Sequence, residues 1–384
     1  LQQRIHLTMN FNPAAIASLR RHVPGLRDKL YFNFGGQGVL PDAAWDELQS
    51  AYRHIETCGP FSRAANDWII ERMQSVRGAI AAQFSTVPER VMLTESTTHG
   101  MNVPLWGLDW KPGDRVLLSD AEHYGVWHIV KQLQERFGIE ADTCNLMWAE
   151  NPVEVLAQSL TPRTRMALVS HVLWNSGRVM PLAELAQCCL DRGVMLHSDA
   201  AQSAGVMPLD LPALGVDFYA FAGHKWFCGP AGVGALYVSE RGQQHLQPTY
   251  TGWRYTYAPD RSAEQFEVAT IAYPLYMAWQ AAIAFHDGFA PIGDRFARQV
   301  ELAQVLWQKL NALPDVTCLS ASPPKAGLVA FNVANRDPIA VESALEQKQI
   351  FIRSMADPAC LRASVHYFTN PEEIGGLVAA IASL

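Results

Sequence analysis

Two residues of this 384-residue chain stand where they could do chemistry together. Asp199 closes the apolar run VMLHSD (194–199), and Lys225 follows VDFYAFAGHK (216–225). Both runs read as short buried strands, the second rich in aromatic residues. If the strands are neighbours ending together, Asp199 and Lys225 reach one rim of a sheet, the carboxyl-end rim where open α/β sheets bind ligands. A lysine and a carboxylate there suit pyridoxal phosphate: the amine forms a Schiff base with the aldehyde, and the carboxylate keeps the pyridine nitrogen protonated so that the ring draws electrons. Alone, the same two residues read as a helix cap and a solvated lysine. Gln202 just after Asp199, His224 directly before Lys225 and the turn Gly232-Val233-Gly234 weigh against that reading.

The elements that would carry these residues alternate along the chain. A helix is expected over 13–22, then YFNFGGQG (31–38) and a proline-started helix over 42–54. A helix over 68–84 leads into VMLTESTTHG (91–100), a strand, a hydroxyl cluster and a helix beginning near Met101. Such a junction reads as an ordinary N-cap or as a phosphate site on free backbone N–H groups. GDRVLLSDAEHYGVW (113–127) is strand then helix, with His123 just past the strand end, and 165–171 is a further strand before Trp174-Asn175-Ser176-Gly177. The alternation to about Val238 implies one α/β domain. The stretch TYTGWRYTYAPDRSAEQFEVAT (249–270) lacks periodicity and reads as a loop-rich segment. Two helices (274–287 and 293–313) and a smaller α/β domain follow. The expected division is an N-terminal segment over 1–30 packing with the small domain, a large domain over 31–260 and a small domain over 261–384.

Composition narrows the class. Hydrophobic residues make up 49% and charged residues 17%, an ordinary globular balance. A net charge of −7 gives no basic footprint for nucleic acid, and no apolar run is long enough for a membrane span. Seven cysteines without a Cys-x-x-Cys pair fit free thiols and a cytoplasmic protein, and the opening residues lack a secretory pattern.

The segments YFNFGGQG (31–38), GPFSRAAN (59–66), LWGLDW (105–110), LWNSGRVMPLAE (173–184), GHKWFCGPAGVG (223–234), FEVAT (266–270) and ADPACLRASVHY (356–367) resemble the class V aminotransferases. The likeness is to the cysteine-desulfurase-like branch, nearest to its cysteine/cystine C–S lyases, and it runs almost end to end. It implies the α/β architecture of PLP-dependent transferases of fold type I: a large domain with a mostly parallel sheet and a smaller C-terminal α/β domain. It further implies Lys225 as covalent anchor and base, Asp199 at the pyridine nitrogen, His123 stacked on the ring and Gln202 on the phenolic oxygen. Thr97, Thr98 and His224 would hold the phosphate, joined by Thr270 from the partner subunit of a homodimer with shared active sites. Gly36, Asn175, Arg353 and Arg362 would meet the substrate, the two arginines gripping its carboxylate around the segment SMADPACL (354–361).

Two departures accompany the likeness. Ala222 stands where the family commonly has a hydroxyl. Cys360 lies between the two arginines, nearer to one than a desulfurase nucleophile would be, and reads as a buried structural thiol. The implied reaction is β-elimination on cystine or cysteine, giving pyruvate, ammonia and a persulfide or sulfide, with no metal. Competing readings are a sulfur transferase using Cys360 and a sulfur-acceptor protein, or an aminotransferase or epimerase on the same cofactor cradle.

Overall fold

A computed structural model of the chain describes residues 11–252, 262–268 and 270–384. Strand β1 (Leu30–Tyr31) is short. A seven-stranded sheet follows from β2 (Val91–Thr94), β3 (Arg115–Ser119), β4 (Glu140–Cys144), β5 (Thr164–Leu168), β6 (Met195–Asp199), β7 (Phe218–Ala222) and β8 (Gly234–Val238). Their spatial order is β2-β8-β7-β6-β5-β3-β4, and β8 alone runs against the others. The anticipated α/β fold is therefore present, and the carboxyl ends of six strands share one rim.

The sheet is buried on both faces, which is why its strands read as unbroken apolar runs. In β7, Tyr219 and Phe221 enter one core with Leu117, Leu196 and Trp279, while Phe218 and Ala220 enter another with Val116, Met195 and Leu168. This two-residue alternation divides one strand between two helical layers. The helix expected near Met101 begins earlier, at Thr97, because Ser96 caps it by accepting from the His99 N–H.

The C-terminal part is built on a four-stranded antiparallel sheet of β9 (Val316–Cys318), β10 (Leu328–Val333), β12 (Arg353–Ala356) and β13 (Ala359–Ser364), in the order β12-β13-β10-β9. The short β11 (Ile350–Phe351) pairs in parallel with β1. The segment 353–362 is thus a hairpin rather than a loop, with Arg353 directly opposite Arg362. The N-terminal helix Pro13–Arg21 is tied to this part by Arg20, which makes two hydrogen bonds to the Glu373 carboxylate. The long helix Tyr273–Phe289 lies against the helices Asp42–Cys58 and Arg63–Ala82 and sends Tyr276, Met277 and Trp279 into the core of the larger sheet.

Among the described residues, four histidines are almost fully buried, and burial pushes their pKa values down: His171 and His197 to about 4, His366 to about 3, and His286 well below its usual range. The unfolded chain binds protons at these rings near pH 6.5, whereas the folded chain does not. Stability is therefore present above that value and is lost as pH falls toward 4, by about 1.4 kcal/mol per pH unit for each ring. The urea midpoint is expected to drop clearly between pH 7 and pH 5; an unchanged midpoint would contradict neutral burial of these rings.

Candidate active site

The rim gathers side chains from five strand ends. Asp199 is the last residue of β6, and its Oδ1 accepts from the Ala201 N–H, which fixes the carboxylate's direction. Lys225 lies three residues past the end of β7. It is half-buried, and burial lowers its amine to about 8, with Asp199 opposing that shift and Arg362 adding to it. No carboxylate among the described residues forms an ion pair with it. The predicted Asp199–Lys225 pair is thus brought to one rim as electrostatic neighbours without direct contact.

His123 caps the helix Tyr124–Phe137, its Nδ1 accepting from the Gly125 N–H, so its neutral form carries the proton on Nε2. Its ring lies 4.0 Å from Tyr124 and 5.2 Å from Trp174, centroid to centroid. Burial lowers its pKa; Asp199 works against this, and Lys225 and Arg362 reinforce it. These four groups thus form one electrostatic unit.

Thr97 opens the helix Thr97–Gly107 at the end of β2, where free N–H groups and the helix dipole favour an anion. Its buried Oγ1 has no hydrogen-bond partner, and neither has the buried Nδ1 of His224. Burial and the neighbouring Lys225 push His224 down to about 4, so the ring is neutral. Thr98 is exposed, with its hydroxyl near Gly125 in the first turn of the helix that His123 caps. Thr270 is exposed on this single chain.

Arg362 projects from β13 and is buried, which lowers its pKa to about 10. Its Nη1 donates to the Trp174 carbonyl at 2.6 Å, while Nε is left without a partner. Arg353, opposite it in the hairpin, turns instead to Glu342 at 3.8 Å and is largely exposed, so the two arginines do not converge as one grip. Gly35, next to the expected Gly36, packs against Arg362 and Gln202. A Cβ on Gly35 would sit 3.1 Å from both Arg362 Nη2 and Gln202 Oε1, whereas the atoms nearest to one on Gly36 belong to Asn33.

Two amides have protein partners that the sequence does not show. Gln202 donates through Nε2 to the Gly35 carbonyl and accepts at Oε1 from the Trp226 indole N–H, leaving one N–H for any further partner. Asn175 donates to the Asp357 carbonyl and keeps a buried, unpartnered Oδ1, an acceptor that suits an ammonium or hydroxyl better than a carboxylate. The sequence reading missed Glu122, the residue before His123. It is buried and accepts from Ser119 Oγ, Ser170 N–H and Ser170 Oγ, clamping the ends of β3 and β5. Burial raises its pKa to about 7 against those three donors, and Asp199 adds to the rise.

Cys360 does not lie in a loop. It is fully buried on β13 beside Ala330 and Met355, with Trp174 packed against it. Burial pushes its thiol up to about 11, although Arg362 opposes the shift.

Similarity follows the whole chain. The family description "Aminotransferase class-V" matches residues 31–377. Among solved structures, a lysine-to-alanine mutant of C-DES with glycine covalently linked to its PLP cofactor is 41% identical with a TM-score of 0.92, covering 95% of this chain and 99% of that one. The complex of the cystine C–S lyase C-DES with its reaction product, cysteine persulfide, is 41% identical with a TM-score of 0.91, over 94% and 99% of the two chains. Of curated relatives, a probable cysteine desulfurase from Methanothermobacter thermautotrophicus is 27% identical over 93% of this chain and 94% of its own length. Isopenicillin N epimerase of Streptomyces clavuligerus is 26% identical over 92% and 94%. The fold is that of PLP-dependent enzymes of fold type I. By the span of these matches as well as by its sheet and rim, the chain belongs to the class V aminotransferase family.

Proposed function

We propose that this protein is a PLP-dependent carbon–sulfur lyase that eliminates the Cβ–sulfur bond of cystine, or of cysteine, at Lys225. The observation that carries the choice within the family is Cys360: a fully buried thiol held in its protonated form cannot serve as the sulfur acceptor that a transferase needs. Its place between Arg353 and Arg362 is structural.

The residues present fit pyridoxal phosphate. Buried polar atoms without partners, Thr97 Oγ1 and His224 Nδ1, stand at the helix N-terminus and beside Lys225, where a phosphate needs donors. Thr98 and, from a second subunit, Thr270 would complete that grip. Asp199 would hold the pyridine nitrogen, His123 would stack on the ring, and the remaining Gln202 N–H would reach its phenolic oxygen. When bound, the cofactor supplies an electron sink for the pair released at Cα.

The chain's own groups do the rest. An amine lowered to about 8 is partly neutral near neutral pH, so Lys225 can anchor the aldehyde and afterwards accept the Cα proton. Arg362, with Nε free and Nη2 beside Gly35, offers a two-pronged donor to the substrate carboxylate. The Cβ–S bond breaks with its electrons on sulfur, releasing cysteine persulfide from cystine or sulfide from cysteine. The three-carbon remainder takes up water and leaves as pyruvate and ammonia. A persulfide is the weaker base and the better leaving group, which favours cystine.

A homodimer with shared sites is part of this reading because Thr270, exposed on this chain, matches a residue that in this family reaches the cofactor phosphate of the partner subunit. The seven free cysteines fit a reducing compartment such as the cytoplasm. A separate acceptor protein would then take the persulfide. Pyruvate formed from cystine, cysteine and cystathionine, each supplied alone, tests the reading; cystine is expected to give the highest kcat/KM, and no pyruvate from any of them would reject it.

Lys225 also gives a pH expectation. Attachment of added cofactor needs the neutral amine, so its rate should rise with pH and level off above about 8, rather than above 10 as for a solvated lysine. Asp199→Asn removes the charge that holds this pKa up, so the midpoint should fall. It should also slow cystine turnover by tenfold or more, about 1.4 kcal/mol, because an uncharged partner no longer keeps the pyridine nitrogen protonated. A midpoint unmoved by that substitution would show that Asp199 does not face the amine.

A further inference from the structure

Behind Lys225 lies a buried group that the reaction does not use. Cys228, His286 and His366 bring their Sγ and ring nitrogens within 4.8 Å of one another. Such a set could ligate a soft cation, but its surroundings argue otherwise. The buried guanidinium of Arg295 stands close enough to act on all three residues. His286 is also engaged at both nitrogens, Nδ1 with the Tyr367 hydroxyl at 2.8 Å and Nε2 with the Phe227 carbonyl at 3.2 Å.

The imidazoles have a different connection. His366 Nε2 meets the Trp226 carbonyl at 3.2 Å, as His286 Nε2 meets that of Phe227. A carbonyl only accepts, so both rings must carry the proton on Nε2 and donate. The two neighbouring carbonyls are held by backbone: Gly38 N–H donates to His224 O at 2.7 Å, and Cys228 N–H to Lys225 O at 3.0 Å. Four consecutive carbonyls, 224 to 227, are thus pinned around the lysine. Gly38 approaches so closely that a Cβ there would lie 2.1 Å from Lys225 O.

His366 also belongs to a series. Along β13 and its extension, Cys360 packs on Trp174 and Arg362 donates to the Trp174 carbonyl. Ser364 Oγ accepts from Gly35 N–H and donates to Phe32 O, and His366 donates to Trp226 O. One run of alternate residues therefore spans from the substrate-facing arginine to the lysine turn.

We propose that His366, seconded by His286, is a positioning residue: it holds the turn bearing Lys225 in register with Arg362, so that an amino acid gripped at its carboxylate presents its Cα to the lysine amine. This rests on the lyase reading, which assigns Arg362 and Lys225 to the same substrate. Loss of the donor frees the turn, and the amine moves toward water and an ordinary lysine pKa. Misplacement by a fraction of an ångström slows proton transfer more than it weakens binding.

The test compares His366→Phe, which keeps the ring stack on Trp226 but not the donor, with His366→Gln, which keeps an N–H. The first measurement is the pH dependence of Lys225 labelling by acetic anhydride before cofactor is added, read by peptide mass. The second is kcat and KM on cystine after loading. For His366→Phe the labelling midpoint should rise by about one unit or more. Its kcat should fall about tenfold, with KM changed less than about twofold, and His366→Gln should restore most of both. Should His366→Phe not fold, His286→Phe carries the same expectation for the Phe227 carbonyl. A folded donor-less variant with unchanged midpoint and unchanged kcat, altered only in melting temperature, overturns the proposal. A wild-type enzyme silent on cystine whose labelling midpoint still moves with His366 sinks the lyase reading and leaves the positioning role standing.

Discussion

Lys225→Ala should abolish multiple turnover on cystine while leaving the fold intact. The side chain ends a turn whose carbonyls are fixed from four directions, so removing it leaves those anchors in place. It also relieves the burial of an amine whose pKa that burial lowers, a change that gives no reason for lost stability. Catalysis loses both anchor and base, and general-base removal alone is worth about 10²–10⁴ in rate. The check is pyruvate release by purified, cofactor-loaded variant, with borohydride-fixed mass sought on the peptide containing residue 225. Turnover within tenfold of the wild type would remove Lys225 from the mechanism.

Arg362→Ala and Cys360→Ala should separate two residues of one strand face. Arg362 offers a charge-assisted donor pair, and losing hydrogen bonds to a charged group costs about 1.5–3 kcal/mol, roughly ten- to a hundredfold in kcat/KM, mainly through KM. Cys360 packs among Ala330, Met355 and Trp174. Truncating so small a buried side chain costs about 1 kcal/mol of stability and should leave pyruvate production from cystine near normal. Steady-state kinetics of both variants, with cofactor occupancy read by absorbance, decides the matter. A folded, fully loaded and inactive Cys360→Ala would transfer the catalytic role to the thiol and reject elimination without a protein nucleophile.

Much of this site was legible because its parts sit at the ends of strands buried on both faces. Such strands leave continuous apolar runs, as in VMLHSD and VDFYAFA, and the residues at or just past their ends, Asp199 and Lys225, stand out by contrast. The hairpin Arg353–Ser364 was not legible: an Asp-Pro pair between two four- to six-residue strands carries the composition of a loop, and only pairing with β10 shows otherwise. Hydrogen-bond partners were hidden for a related reason. Gln202 meets Gly35 and Asn175 meets Asp357 across more than 160 residues, and no local pattern records such distances. The same holds for the close packing of Gly35 against Arg362, which the glycine-rich sequence alone does not show. Glu122 and His366 were passed over because a single acidic or imidazole side chain next to apolar neighbours has no period to mark it as buried.

The most direct test of the account is the carbon product of cystine and of cysteine, measured by separating alanine from pyruvate after turnover by the cofactor-loaded enzyme without any added acceptor protein. Elimination releases the three-carbon skeleton as pyruvate, one for each sulfane sulfur liberated from cystine. Sulfur transfer to a protein thiol instead leaves the skeleton as alanine. The buried, protonated Cys360 predicts pyruvate with negligible alanine. Alanine as the principal product, with persulfide on the protein, would contradict it.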